Sequence, residues 1–134
     1  VFENQFWDNG NVNLMIYSYT LGGRTVEDPN YDPFPEQIYI HDNDFRGGGT
    51  SPRHRLLMAW HEIAQINTPN VVWGGLSADE SDSSRIVCLG QNPSVSFLNL
   101  KGGLNPNDVS YDSAPHQCVL PRLAPIELNS PGDD

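Results

Sequence analysis

Residues 40–45 read Ile-His-Asp-Asn-Asp-Phe, and residues 1–6 read Val-Phe-Glu-Asn-Gln-Phe. Aligned, the two segments share an apolar residue, an acid, an asparagine and a phenylalanine at the same spacing, and residues 89–92 (Leu-Gly-Gln-Asn) form a looser third copy. Apolar residues and asparagines that return along a chain are typical of a right-handed parallel β-helix, whose repeats bury their faces against one another. The pattern predicts a structural ladder of three stacked side chains: Asn4, Asn43 and Asn92.

The repeat predicts an all-β fold, a right-handed parallel β-helix, with one inserted α-helix and an extended C-terminal tail. Because the first copy begins at residue 1, we expect the chain to hold the C-terminal coils of a longer solenoid. Residues 1–134 would then form a single partial β-helix domain.

Three insertions are expected on this domain. Prolines and glycines predict a long inserted loop at residues 20–37. Ser51 as a cap, Pro52 in the first turn and apolar residues at helical spacing predict an inserted helix over residues 51–67. Residues 102–134 are predicted to wrap the outside as an extended tail, because this segment is mostly irregular and carries prolines.

Composition limits the partners. The net charge of −10 argues against nucleic acid, whose phosphates require clustered Lys and Arg. The same charge is compatible with cationic partners, with Ca²⁺, or simply with a solvated acidic surface. No apolar run approaches the roughly 20 residues that cross a bilayer, so we do not expect a transmembrane protein.

Cys88 and Cys118 match no zinc motif and no CxxC redox motif. An even number of cysteines in a proline-rich, turn-rich chain suggests one disulfide and an oxidising compartment. Two buried free thiols are the alternative. The chain has no CxxCH sequence, so we expect no covalently attached haem.

The densest group of candidate functional side chains surrounds residues 39–44. Oxygen ligands suit Ca²⁺, and the carboxylates that could supply them are Asp28, Asp32, Asp42 and Asp44. Tyr39 and His41 are candidates for an acid/base pair on a sugar-binding groove. The alternative is that Asp42 and Asp44 are solvated turn residues and that His41 hydrogen-bonds the inserted loop. A lyase acting on uronates is disfavoured, because the chain offers only seven Lys and Arg residues against its net negative charge.

Several segments together resemble a known family. They are ENQFWDN, VNLMIYSY, EDPNYDPFPEQIYIHDNDF, NVVWGG, IVCLGQN and HQCVLPRLAPIEL, and their most specific parts are Tyr31-Asp32-Pro33 and residues 38–43. The chain is similar to the C-terminal part of bacterial secreted proteins with paired right-handed parallel β-helix repeats, often encoded beside a c-type-cytochrome-like protein. This resemblance implies a β-helix and an exported protein (periplasmic, outer-membrane-associated or extracellular), but no assigned activity.

The resemblance also supports the disulfide. The register that places Leu89 beneath Ile40 puts Cys88 at the level of Tyr39, on the outward side, because strand side chains alternate. An outward Cys88 could meet Cys118 in the wrapping tail.

We therefore expect an exported, non-catalytic scaffold or binding subunit that docks a partner. The partner would be the preceding β-helix segment of the same protein or a separate subunit, and the resemblance implies a c-type haem protein as a candidate. The alternative is a carbohydrate-active enzyme of the polysaccharide lyase or epimerase kind, or a carbohydrate-binding protein, that uses Tyr39 and His41. Calcium is the one cofactor that the sequence suggests.

Overall fold

The computed structural model describes residues 1–78, 81, 87–103 and 105–121. This part contains seven strands of three residues each, one α-helix and one short 3₁₀ helix. In chain order they are β1 (Gln5–Trp7), β2 (Leu14–Ile16), β3 (Ile38–Ile40), β4 (Asp44–Arg46), α1 (Arg55–Ala64), β5 (Val71–Trp73), β6 (Val87–Leu89), β7 (Phe97–Asn99) and the 3₁₀ helix Ala114–His116. No helix in the described ranges is long and apolar enough to cross a lipid bilayer.

The strands pair in parallel within three separate sheets. One sheet joins β1 to β4, a second joins β2, β5 and β7 in that order, and the third joins β3 to β6. The pairing places Phe6 opposite Phe45 and Ile40 opposite Leu89, which is the register that the sequence repeat indicates. The strands therefore lie at three levels. The first level holds β1 and β2, the second holds β3, β4 and β5, and the third holds β6 and β7.

The predicted fold class, an all-β right-handed parallel β-helix, is wrong. In the described part of the chain, the structure is a small mixed fold in which short parallel strand pairs belong to separate sheets beside one α-helix, and no sheet there closes or coils into a solenoid. The physical reason lies in the connections. Each sheet has at most three strands of three residues, and long irregular segments such as residues 17–37 separate consecutive strands. The repeat in the sequence thus fixes which strands pair, but it does not produce a continuous coil.

Two buried clusters hold these sheets. The first fills the space between them and includes Ile40, Phe45, Val71, Trp73, Val87, Leu89 and Phe97. The second lies under α1 and includes Leu21, Leu57, Trp60, Val72, Leu98 and Leu100. Strand β5 contributes to both clusters, because successive side chains of a strand point to opposite faces. Val71 and Trp73 lie in the first cluster, and Val72 lies in the second. Burying one such side chain contributes about 1.5–3 kcal/mol.

Helix α1 is shorter than the predicted range of 51–67. Before it, the side chain of Asn11 accepts hydrogen bonds from the backbone N–H groups of Arg53 (2.7 Å) and His54 (3.0 Å), so this stretch bonds to a loop instead of to itself. After it, Gln65 turns left-handed, with φ at 55°, and its backbone N–H donates to the oxygen of His61. The helix buries Leu57 and Trp60 and leaves Ile63 exposed.

The predicted loop at residues 20–37 lies within the described part and contains neither helix nor strand. Of the predicted tail at residues 102–134, the structure describes 102–103 and 105–121, and the rest lies outside the described residues. Within residues 105–121, Ser110 forms an isolated antiparallel bridge with Asn99 of β7, and Ala114–His116 is the short 3₁₀ helix. This portion is called the tail below.

Candidate functional site

The first level presents an unpaired backbone edge. In the described part of the chain β1 pairs only with β4, and β2 pairs only with β5. The N–H of Asp8 donates to the oxygen of Arg46 (2.9 Å). Because backbone groups alternate in direction along a strand, the amides of Gln5 and Trp7 point away from β4 and toward this edge. The unpaired side of β1 and β2 is called the open edge.

Aromatic side chains are exposed on or next to the strands of the open edge. They are Phe2 (56% exposed), Trp7 (44%), Tyr17 (45%) and Tyr19 (41%). Trp7 is held in place, because the Arg46 guanidinium lies 4.6 Å from its ring centroid and its indole N–H donates to Asp44 (3.2 Å). An unpaired strand edge beside exposed aromatic side chains is a surface suited to pairing with another chain.

The three predicted ladder asparagines lie together across the levels. The side-chain oxygen of Asn43 accepts from the backbone N–H and the side-chain amide of Asn4, both at 3.1 Å. The side-chain oxygen of Asn92 accepts from the same two groups of Asn43, at 3.2 and 3.3 Å. Each asparagine thus donates to the next one along the chain. At the open edge, the side-chain oxygen of Asn4 accepts from no donor in the residues that the structure describes.

The tail covers the opposite end, where the third level lies. The backbone of Ser110 exchanges hydrogen bonds with Asn99 of β7, at 2.8 and 2.9 Å. The ring of His116 places Nδ1 3.0 Å from the backbone oxygen of Val87. The predicted disulfide is confirmed, since Cys88 of β6 is bonded to Cys118 of the tail. The two ends of the strand stack therefore differ: one is covered and the other is open.

His116 is the functional group that the sequence analysis did not single out. Its ring is 3% exposed and packs edge-on to Trp73 (4.9 Å between centroids) and against Phe97 (4.7 Å). Burial lowers the pKa of His116, while its hydrogen bond to Val87 and the charge of Asp112 oppose this effect. Because a backbone oxygen only accepts, Nδ1 carries the proton in the neutral ring. The sequence signal that could have identified it is its position two residues before Cys118.

The candidate residues Tyr39 and His41 lie side by side. The His41 ring stacks between Tyr39 (4.2 Å) and Phe2 (5.1 Å), and its Nδ1 lies 2.6 Å from a carboxylate oxygen of Asp42. Tyr39, His41 and Asp42 line a cavity of 290 Å³, together with Gln91 and residues 117–119 of the tail. An aromatic wall, a paired imidazole and neighbouring side-chain amides are groups that bind hydroxylated ligands.

The four aspartates proposed for calcium do not converge. Asp28 and Asp32 each accept a hydrogen bond from the backbone two residues later, as turn residues do. Asp42 binds His41, and Asp44 binds Arg46. Within the described ranges, no group of three or more His, Cys, Asp or Glu side chains is placed to hold a metal ion. Calcium binding stays a prediction from the sequence.

Comparison of the chain with protein-family models, with curated proteins and with solved structures finds no match. The resemblance to exported repeat proteins therefore stays a prediction.

Proposed function

We propose that this chain is a binding subunit that docks a partner chain at the open edge. The observation that carries the proposal is the difference between the two ends of the strand stack. The tail covers the third level with backbone bonds, a buried histidine and a disulfide. At the first level, β1 and β2 have one side that pairs with none of the described residues, and exposed aromatic residues lie beside it. Strand addition satisfies such an edge by forming new main-chain hydrogen bonds.

The expected occupant is an extended segment of the partner, aligned parallel to β1 and β2. Parallel alignment is favoured because every strand pair in the described sheets is parallel. In the paired strands, side chains at matching positions stack in columns: the rings of Phe6 and Phe45 lie 5.0 Å apart, and Leu14 lies over Val71. Apolar side chains of the docked segment would add to these columns. The backbone bonds supply affinity, and the columns supply selectivity.

The disulfide supports an exported location for this complex, because such bonds persist in oxidising compartments. A c-type haem protein remains the partner that the sequence resemblance implies. Haem absorbance in the complex tests that identity separately from the docking mode.

Two substitutions of Gln5 test the docking mode. The Gln5 N–H faces the open edge, so Gln5→Pro removes a donor that only a docked strand would use. Gln5→Ala removes the same side chain but keeps the N–H, which makes it the matched control. Native mass spectrometry of the assembly from its source, under non-reducing conditions, first identifies the bound chain. The purified partner is then titrated against the wild type and both variants.

We expect Gln5→Ala to bind as the wild type does, and Gln5→Pro to bind at least about tenfold more weakly, which corresponds to about 1.4 kcal/mol. Both variants should keep the urea midpoint close to that of the wild type. Equal binding by the two variants, or a native chain that carries no partner, would refute strand addition.

A second candidate function is carbohydrate binding, with or without acid/base chemistry, in the cavity beside His41. The stacked rings of Tyr39, His41 and Phe2 and the 2.6 Å contact between His41 and Asp42 favour it. His41→Ala should abolish glycan binding or turnover while partner binding at the open edge persists, and Tyr39→Phe, which keeps the aromatic wall but removes the hydroxyl, should keep binding and lose any turnover that uses this hydroxyl. A glycan array without any His41-dependent signal would remove this candidate.

A further inference from the structure

We infer that the docking segment of the partner carries an asparagine whose N–H groups donate to the side-chain oxygen of Asn4. This inference rests on the proposed function and specifies the chemistry of the partner. It starts from the direction of the ladder, in which Asn4 donates to Asn43 and Asn43 donates to Asn92. Because both steps donate in the same direction, one end of the ladder is a side-chain oxygen that could accept a further hydrogen bond. This oxygen belongs to Asn4, at the open edge.

The two existing ladder steps indicate which groups a donor to the side-chain oxygen of Asn4 should carry. In both steps, one side-chain oxygen receives two N–H groups from a single residue, the backbone amide and the side-chain amide. Asparagine is the residue that supplies both groups in each existing step, and the side chain of an ionised aspartate only accepts. The residue that fits above Asn4 in the same register is therefore an asparagine.

The register also specifies the neighbours of that asparagine. Three positions earlier, Val1 lies over Ile40, and the N–H of His41 donates to the oxygen of Val1 (3.0 Å). Two positions later, the rings of Phe6 and Phe45 stack within 11° of parallel. A segment that continues both columns of side chains has an apolar residue three positions before its asparagine and an aromatic residue two positions after it.

The residue before the asparagine is restricted as well. Glu3 and Asp42 occupy this position in the two copies, and both have left-handed backbone, with φ at 55° and 52°. β-Branched residues are strongly disfavoured there, because their side chains clash with the backbone in this conformation. We expect Asp, Asn, Gly, Glu or another unbranched residue at this position of the partner.

A second copy of this chain does not fit the requirement. Two open edges facing each other would oppose one Asn4 acceptor to another, without a donor between them. Stacking the third level of one copy on the first level of another is hindered, because Ser110 and His116 already bond to the free side of β7 and β6. The geometry points to a segment other than a second copy of these residues.

The test uses a peptide that copies residues 38–46 (IYIHDNDFR) and a matched peptide in which the residue equivalent to Asn43 is changed, Asn43→Ala. Each peptide is titrated to millimolar concentration into the chain of residues 1–134, and backbone amide shifts are recorded by NMR. We expect the first peptide to shift the amides of Gln5 and Trp7, which face the open edge of β1, and the Ala peptide to bind at least about tenfold more weakly. With an Asn4→Ala chain, the two peptides should bind equally, since the acceptor has been removed.

Equal binding of both peptides to the wild type would overturn the asparagine requirement and leave strand addition at the open edge standing. A preference that survives Asn4→Ala would also overturn it, because the acceptor would then lie elsewhere. Failure of both peptides to bind overturns the inference too. In that case the Gln5→Pro and Gln5→Ala pair decides on the proposed function independently.

Discussion

The imidazole of His116 donates from Nδ1 to the backbone oxygen of Val87 across 3.0 Å, and Val87 directly precedes the half-cystine Cys88. The tail is thus joined to β6 by a hydrogen bond and a covalent bond at adjacent residues. The ring is buried against Trp73 and Phe97. Protonation of this ring and reduction of the neighbouring disulfide should therefore loosen the same segment.

The pH dependence of stability should reflect His116. Its pKa in the folded chain is lowered from the ordinary value of 6.5, chiefly because burial disfavours the charged ring. The unfolded state then binds more protons between the folded pKa and 6.5, so this contribution is complete above pH 6.5 and is lost as the pH falls to the folded pKa. Urea unfolding across this range measures the effect. In a His116→Asn variant the slope should flatten, and an unchanged slope would contradict the assignment to His116.

Loss of the disulfide should destabilise the whole fold. The bond closes a loop with a sequence separation of 30 residues. In the chain-entropy model, loops of this size contribute about 3–4 kcal/mol. The Cys88→Ala/Cys118→Ala double variant should lower the free energy of unfolding by this order and expose the tail to proteolysis. If the tail were held by His116 and Ser110 alone, the proteolytic pattern of the double variant would match that of the wild type.

The two ends of the asparagine ladder should respond differently to the same substitution. Asn43 is 2% exposed and bonds to Asn4, Asn92, Val1 and His41. Asn43→Ala leaves several of these groups without partners, at about 1–3 kcal/mol for each one that stays buried. Asn4→Ala removes an exposed ladder residue and should cost less than about 1 kcal/mol. Urea midpoints of the two variants provide the comparison, and similar losses would show that the buried contacts of Asn43 contribute little.

The helix should contribute through a single large side chain. Trp60 is 1% exposed and packs in the second buried cluster. Trp60→Ala should cost about 3–5 kcal/mol, because it removes a buried aromatic side chain and leaves a cavity. Met58→Ala on the exposed side of α1 is the control, with an expected change within about 0.5 kcal/mol. Equal effects of the two substitutions would mean that α1 does not pack on β5 and β7 as described.

The sequence predicted local pairing better than overall architecture. The spacing of Asn4 and Phe6, repeated at Asn43 and Phe45, contains the strand register, because side chains at matching positions must stack. The disulfide could likewise be expected from the level at which Cys88 lies. The β-helix could not be inferred safely from three copies. Continuity of a coil depends on the connections, and the loop after β2 and the helix after β4 carry no repeat that would shape them.

The role of the tail could not be read from its residues. His116 is one of four histidines, and its position two residues before Cys118 is the only sequence signal that sets it apart. Its burial results from the approach of Trp73 and Phe97, which come from different strands and are distant in sequence. The four aspartates illustrate the converse case. They are close in sequence, but each bonds to its own local partner, and among the described residues no group of three or more acidic, His or Cys side chains is placed to hold a metal ion.

The covered third level has a consequence for how large any assembly becomes. A protein with two compatible strand edges can add copies of itself without limit, as fibres do. Here Ser110 occupies the free side of β7, and His116 occupies that of β6. Under the proposed docking mode, this chain adds a strand at its open edge and not at its third level, so we expect it to end an assembly and not to propagate one. By covering the third level, the tail hinders the repeated addition of copies that two unpaired strand edges would permit.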